Sequence, residues 1–64
     1  MDIKDIIKMY GTTADYYDHC TGRIYKLSKM SYNAEKNETS IPVNLDGDII
    51  GDIKIAGDAR QLSD

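Results

Sequence analysis

Apolar residues recur along this chain with two different periods, and the change of period divides it. Ile3, Ile6, Ile7 and Tyr10 fall at i, i+3, i+4 and i+7, the spacing that aligns side chains on one face of an α-helix. Asp2 stands where a side-chain oxygen caps a first turn. Asp5 lies within that turn, where negative charge suits the helix dipole, and Gly11 comes next, where a left-handed residue ends helices. The pattern predicts a helix over residues 2–10. Thr12 or Thr13 is placed to cap a second helix, with Asp15 in its opening turn and a weaker face of Ala14, Tyr17 and Cys20 or Thr21. Thr21-Gly22 then interrupts, as a Gly-containing turn between helices would. From Arg23 to about Ser31 the spacing is helical again, with Ile24, Leu27 and Met30 in one row. A single helix from Ala14 to Ser31 is the competing reading, because one internal Gly costs only about 1 kcal/mol.

Residues 33–40 are polar and read as an exposed loop. Beyond them the period drops to two. Ile41-Pro42-Val43-Asn44-Leu45 alternates, Asp46-Gly47 is a hairpin turn signal, and Ile49 to Ile55 returns as a second strand. Pro42 lacks an N–H and is expected on an edge strand or at a strand's beginning. The fold class expected is α+β: two to three short N-terminal helices, arranged as a helix-turn-helix, followed by a C-terminal antiparallel β-hairpin. One domain spans residues 1–57, and residues 58–64 read as a flexible tail.

Length limits what such a domain can do alone. Sixty-four residues bury only about 60% of the surface that the unfolded chain exposes. Trp and Phe are absent, and the single Cys20 cannot form an internal disulfide. A small core without a staple points to self-association or a partner. Eleven acidic residues against eight basic give a net charge of −3, the wrong sign overall for phosphate neutralisation. Distribution matters locally, however: Arg23, Lys26 and Lys29 are concentrated, whereas Asp46, Asp48, Asp52, Asp58 and Asp64 crowd the C-terminal third. No stretch has the length of about 20 apolar residues that a membrane span needs, and the N-terminus has no apolar signal core. The expected location is the cytoplasm, with Cys20 reduced and buried as a small hydrophobe.

On a helix, Arg23, Lys26 and Lys29 lie beside the apolar row. Burying Ile24, Leu27 and Met30 would therefore turn Arg23, Tyr25, Lys26, Ser28 and Lys29 outward. Such a helix fits the major groove, where cations meet phosphates and Arg or Lys donates to guanine edges. The same residues on an arbitrary helix would merely solvate its outer face. Of the five tyrosines, Tyr10 and Tyr17 are expected at the core edge, and Tyr16, Tyr25 and Tyr32 on a partner surface. Asp46, Asp48 and Asp52 do not have the spacing of a calcium loop. They read as a solvated turn or as an acidic surface imitating nucleic-acid phosphate. Asp18, His19 and Cys20 are adjacent, so on a helix they point in different directions and do not assemble a nucleophile and base. No catalytic group, metal site or cofactor is expected.

Ile3-Lys4-Asp5 followed by Tyr10-Gly11, together with Asn44-x-Asp46-Gly47-x-Ile49-x-x-Asp52-Ile53-Lys54, resembles the Cro repressors of lambda-type bacteriophages. The resemblance implies three helices and a small sheet that dimerises. It makes Arg23 to Lys29 a recognition helix and Ile53 and Ile55 the dimer strand, on half-sites about one helical turn apart. The function expected is a transcriptional repressor that occupies double-stranded operator DNA as a homodimer, in the host cytoplasm if phage-encoded. The alternative is a small acidic phage-type inhibitor that binds and blocks a host or defence enzyme, with nucleic-acid mimicry as its means.

Overall fold

In the computed structural model, which describes residues 2–63, a single α-helix packs on a five-stranded antiparallel sheet. Helix α1 (Ile3–Tyr10) forms where the apolar spacing places it. The Asp2 carboxylate accepts from the Lys4 N–H at 3.4 Å, and Gly11, with φ 78°, donates to the Ile7 carbonyl at 2.8 Å. Ile6 and Ile7 are buried.

Beyond Gly11 the chain builds strands, and the expected helix-turn-helix is corrected. Strands β1 (Tyr16–Tyr17) and β2 (Arg23–Tyr25) form an antiparallel pair, and a 3-10 helix (Leu27–Lys29) leads into β3 (Ser31–Asn33). β4 (Glu38–Leu45) and β5 (Asp48–Ala56) complete the sheet. Asp18 shows why residues 14–31 are not helical. Its carboxylate accepts from the Cys20 N–H at 2.9 Å and from the Thr21 hydroxyl at 3.1 Å, while its carbonyl accepts from the Gly22 N–H at 2.8 Å. These local bonds offer the backbone a tight turn in place of a helix. The aromatic and β-branched residues on either side then suit strands.

β4 is the central strand. One edge pairs with β5 along its whole length. The other pairs with β2 at Val43–Leu45 and with β3 at Glu38–Ser40. β2 and β3 are thus one path beside β4, broken where residues 26–30 stand against only Ile41 and Pro42. The break lies beside Pro42, whose carbonyl accepts from the Lys26 N–H at 2.9 Å and whose nitrogen has no hydrogen to give. Pro42 therefore occupies a central strand, not the edge or strand start expected of it, because its neighbour leaves the ladder there. The excursion delivers Leu27, fully buried, into the core.

That core lies on one face of the sheet. Thr39, Ile41 and Val43 of β4 and Ile55 of β5 point into it, with Ile6 and Ile7 of α1, Leu27 and Ala59. Ala59–Ser63, within the expected tail of residues 58–64, forms a second 3-10 helix packed on α1 (Asp64 lies outside the described residues). Fully buried Thr39 ties it down. The Thr39 hydroxyl donates to the Gly57 carbonyl at 2.7 Å and accepts from the Ala59 N–H at 2.9 Å. Thr39→Val keeps the shape and removes both bonds, so it is expected to lower stability by about 1–3 kcal/mol. Thr39→Ser is expected to retain most of the stability. Urea denaturation of the two variants is the check.

Candidate functional site

An eight-residue helix is about 12 Å long, whereas the nine residues of β5 reach about 30 Å. α1 therefore covers part of the sheet and leaves the end near the β4–β5 turn without a lid. Asp46 and Gly47 connect these strands with φ 53° and 87°, the two left-handed residues of a type I′ turn whose twist matches the flanking strands. The tip is accordingly a tight two-residue connection.

A β-bulge shapes this end. Val43 pairs with Gly51, but the next residue, Asn44, pairs with Ile49, which leaves Ile50 as an extra residue in β5. The insertion changes the phase of the strand. Gly51, Ile53 and Ile55 share the core side with Val43, Ile41 and Thr39, whereas Ile49 lies on the outer face beside Asn44. Ile49 is 73% exposed and Ile50 49%.

Each face of this end carries a distinct feature, a row of mostly apolar residues on one and a groove of mixed lining on the other. On the outer face Tyr17, Ile24, Asn44 and Ile49 form one row across β1, β2, β4 and β5. Tyr17 is half exposed, and its ring meets the His19 ring edge-on with centroids 4.9 Å apart. In the middle of the row the Asn44 side-chain oxygen Oδ1 is shielded from solvent and accepts no hydrogen bond among the described residues. The core side has an open groove of about 260 Å³. Arg23 and Tyr25 form one wall, Val43 the floor, and Ile50 to Ile53 the other wall. Tyr25 continues into a ladder of rings, at 6.0 Å from Tyr16, which is in turn 5.2 Å from Tyr10. Acidic residues rim the tip: Asp46, Asp48 and Asp52 are all exposed.

The residues read as a DNA-contacting row are separated. Arg23 is exposed at the groove, and Tyr25 is half-buried with its hydroxyl 3.4 Å from Asp18 Oδ2. Burial, then the nearby Asp18 charge, raises the Tyr25 phenol above its ordinary pKa. Lys26 Nζ pairs with Asp15 Oδ2 at 2.9 Å, and the Ser28 hydroxyl donates to Asp15 Oδ1 at 2.7 Å. Lys29 is exposed at the end of the 3-10 helix. For the expected dimer strand, Ile53 is half-buried against the core and Ile55 is enclosed within it. The tyrosine expectations are reversed in part: Tyr10 and Tyr17 are exposed, while Tyr16 and Tyr25 pack on the core. Cys20 is an exposed free thiol, not a buried hydrophobe. The Asp18 carboxylate is committed to its turn. Among the described residues no three His, Cys, Asp or Glu side chains gather as a metal site, and no helix is long and apolar enough to cross a membrane. Sequence reasoning missed Ile49 and Ile50 as a pair, although two adjacent isoleucines in an alternating strand were the visible signal of a phase change.

No family model, no curated protein and no solved structure matches this chain.

Two predictions arise from these side chains. The Lys26 ammonium, then the Ser28 hydroxyl, holds the Asp15 carboxyl below its ordinary pKa. The contribution of Asp15 to stability is therefore complete above the unfolded value of about 3.9 and is lost as pH falls through the lower folded value. Asp15→Asn is expected to lower the urea midpoint at neutral pH, and its difference from the unsubstituted chain should shrink as the solution is made acidic enough to protonate Asp15 in the folded state. Asn44→Val removes a shielded, unpaired acceptor and fits a strand, so thermal or urea unfolding should show stability unchanged or raised by about 1 kcal/mol.

Proposed function

We propose that this chain is a small binding protein that acts by occupying the surface of another protein, through the bare end of its β4–β5 hairpin. The observation that carries the reading is the bulge-made pair of Ile49 and Ile50 beside a tight turn, with a mostly apolar row on one face and a groove on the other. Adjacent exposed isoleucines beside a tight two-residue turn serve no core. They are available to be desolvated by a partner.

Charge selects the kind of partner. Exposed Asp46, Asp48 and Asp52 flank the isoleucines along the hairpin, against Arg23 across the groove, so an apolar patch bordered mainly by Lys or Arg complements them. A surface that binds nucleic-acid phosphate has that character, which makes an acidic inhibitor of a nucleic-acid-handling enzyme the favoured case. The repressor reading has lost the element that was to carry it, since Arg23–Tyr25 is strand and Lys26 is paired with Asp15. The exposed free thiol of Cys20 suits a reducing compartment, and the cytoplasm is the proposed location.

The test is an amide chemical-shift titration at low salt with two probes: a peptide of alternating Leu and Lys, and mixed-sequence duplex DNA. Shifts from the peptide centred on residues 44–53, and their loss in an Ile49→Asp, Ile50→Asp double variant that remains folded, are expected. Peptide shifts elsewhere, or saturable DNA shifts at Arg23, Lys26 and Lys29, would overturn the reading.

A further inference from the structure

β5 lies at the edge of the sheet, and the direction of its free hydrogen-bonding groups is set by Pro42. The Pro42 carbonyl faces β2, where the Lys26 N–H reaches it. In an antiparallel ladder each residue turns its N–H and C=O to the same side, and successive residues alternate. Pro42 and its partner Asp52 are therefore a pair without mutual main-chain bonds, and Asp52 presents its N–H and C=O away from β4. By alternation Ile53 and Ile55 bond to β4, opposite Ile41 and Thr39, while Lys54 faces outward like Asp52. Among the described residues the edge thus offers unmet donors and acceptors at two oppositely charged residues, whose side chains both stand exposed on the outer face.

We propose that this edge pairs with β5 of a second copy, antiparallel, about a two-fold axis at Ile53. The outward-facing residues allow a few registers, and charge chooses among them. Centring on Ile53 sets Asp52 opposite Lys54 of the other copy twice, so that these residues exchange main-chain bonds and complementary charges together. A shift that centres on Asp52 sets Asp against Asp, and one that centres on Lys54 sets Lys against Lys. A lysine on an edge usually discourages pairing. Here each lysine gains a carboxylate, beyond its own 3.6 Å contact with Glu38. The bulge at Ile50 limits the pairing at the turn end, which confines contact to the straight part of the strand. The half-buried Ile53 side chains meet across the axis on the core side. The two hairpin tips then point in opposite directions, which gives a bivalent molecule.

Sedimentation velocity of the full chain at high micromolar concentration and low salt tests this, with Asp52→Lys and Lys54→Asp as variants. A dimer is expected, and each variant alone should weaken it roughly tenfold or more, because two attractions become two repulsions. An equimolar mixture of the two variants restores opposite charges at both contacts and should dimerise again. Amide exchange at Asp52 and Lys54 should slow as the protein concentration rises. A monomer at every concentration overturns the proposal, as does a dimer indifferent to both variants. The proposal fails in the centrifuge and the docking reading in the peptide titration, so each falls separately.

Discussion

A residue with no N–H sits in the middle of the strand on which the whole sheet is assembled. Pro42 cannot complete a ladder with a continuous neighbour, and the chain accommodates this by breaking the neighbour. β2 ends just before the gap, β3 begins just after it, and only the Lys26 N–H reaches across to the Pro42 carbonyl. The excursion between them has its own use, because it carries Leu27 into the core beside Ile7, Ile41 and Ile55. The Pro42 position also settles which β5 residues bond inward and which face out. A single missing hydrogen thus shapes the inner edge, supplies a core residue and orients the outer edge.

Around that frame, small polar groups substitute for the apolar mass that a short chain lacks. Asp18 closes the β1–β2 turn, Asp15 ties the excursion to β1 through Lys26 and Ser28, and Thr39 fastens the C-terminal 3-10 helix. They differ in weight. Asp15 and Lys26 are partly solvated, and ion pairs of this kind contribute little. The Thr39 bonds are shielded, where an unmet donor or acceptor is far more costly. Among these polar ties the fold is therefore most sensitive at Thr39.

Sequence made the local elements legible and hid the non-local ones. α1 was readable because its cap, apolar stripe and terminal Gly all lie close together along the chain. The β4–β5 hairpin was readable from Asp46-Gly47 for the same reason. Ile24, Leu27 and Met30 misled because a strand interrupted by an inserted turn also leaves apolar residues three apart. In the structure they divide between the outer face, the core and the core's margin. Nothing local states that Arg23–Tyr25 must lie against Val43–Leu45, far along the chain. The candidate site was hidden by a simpler fault. Strict alternation groups Ile49 with Ile53 and Ile55, and one inserted residue sends it to the opposite face.

That inserted residue has a consequence for how such a protein can change. Ile50 is the one residue between Asp48 and Ala56 with no partner opposite it in β4. Loss of its codon would leave Ile49 beside Asn44 and Gly51 beside Val43, now in an unbroken ladder. A deletion between Gly51 and Ile55 would instead slip the strand and turn polar residues toward the core. The paired isoleucines are thus an addition laid over a regular hairpin. A lineage can gain or shed them in a single step, without renegotiating the packing that keeps the chain folded.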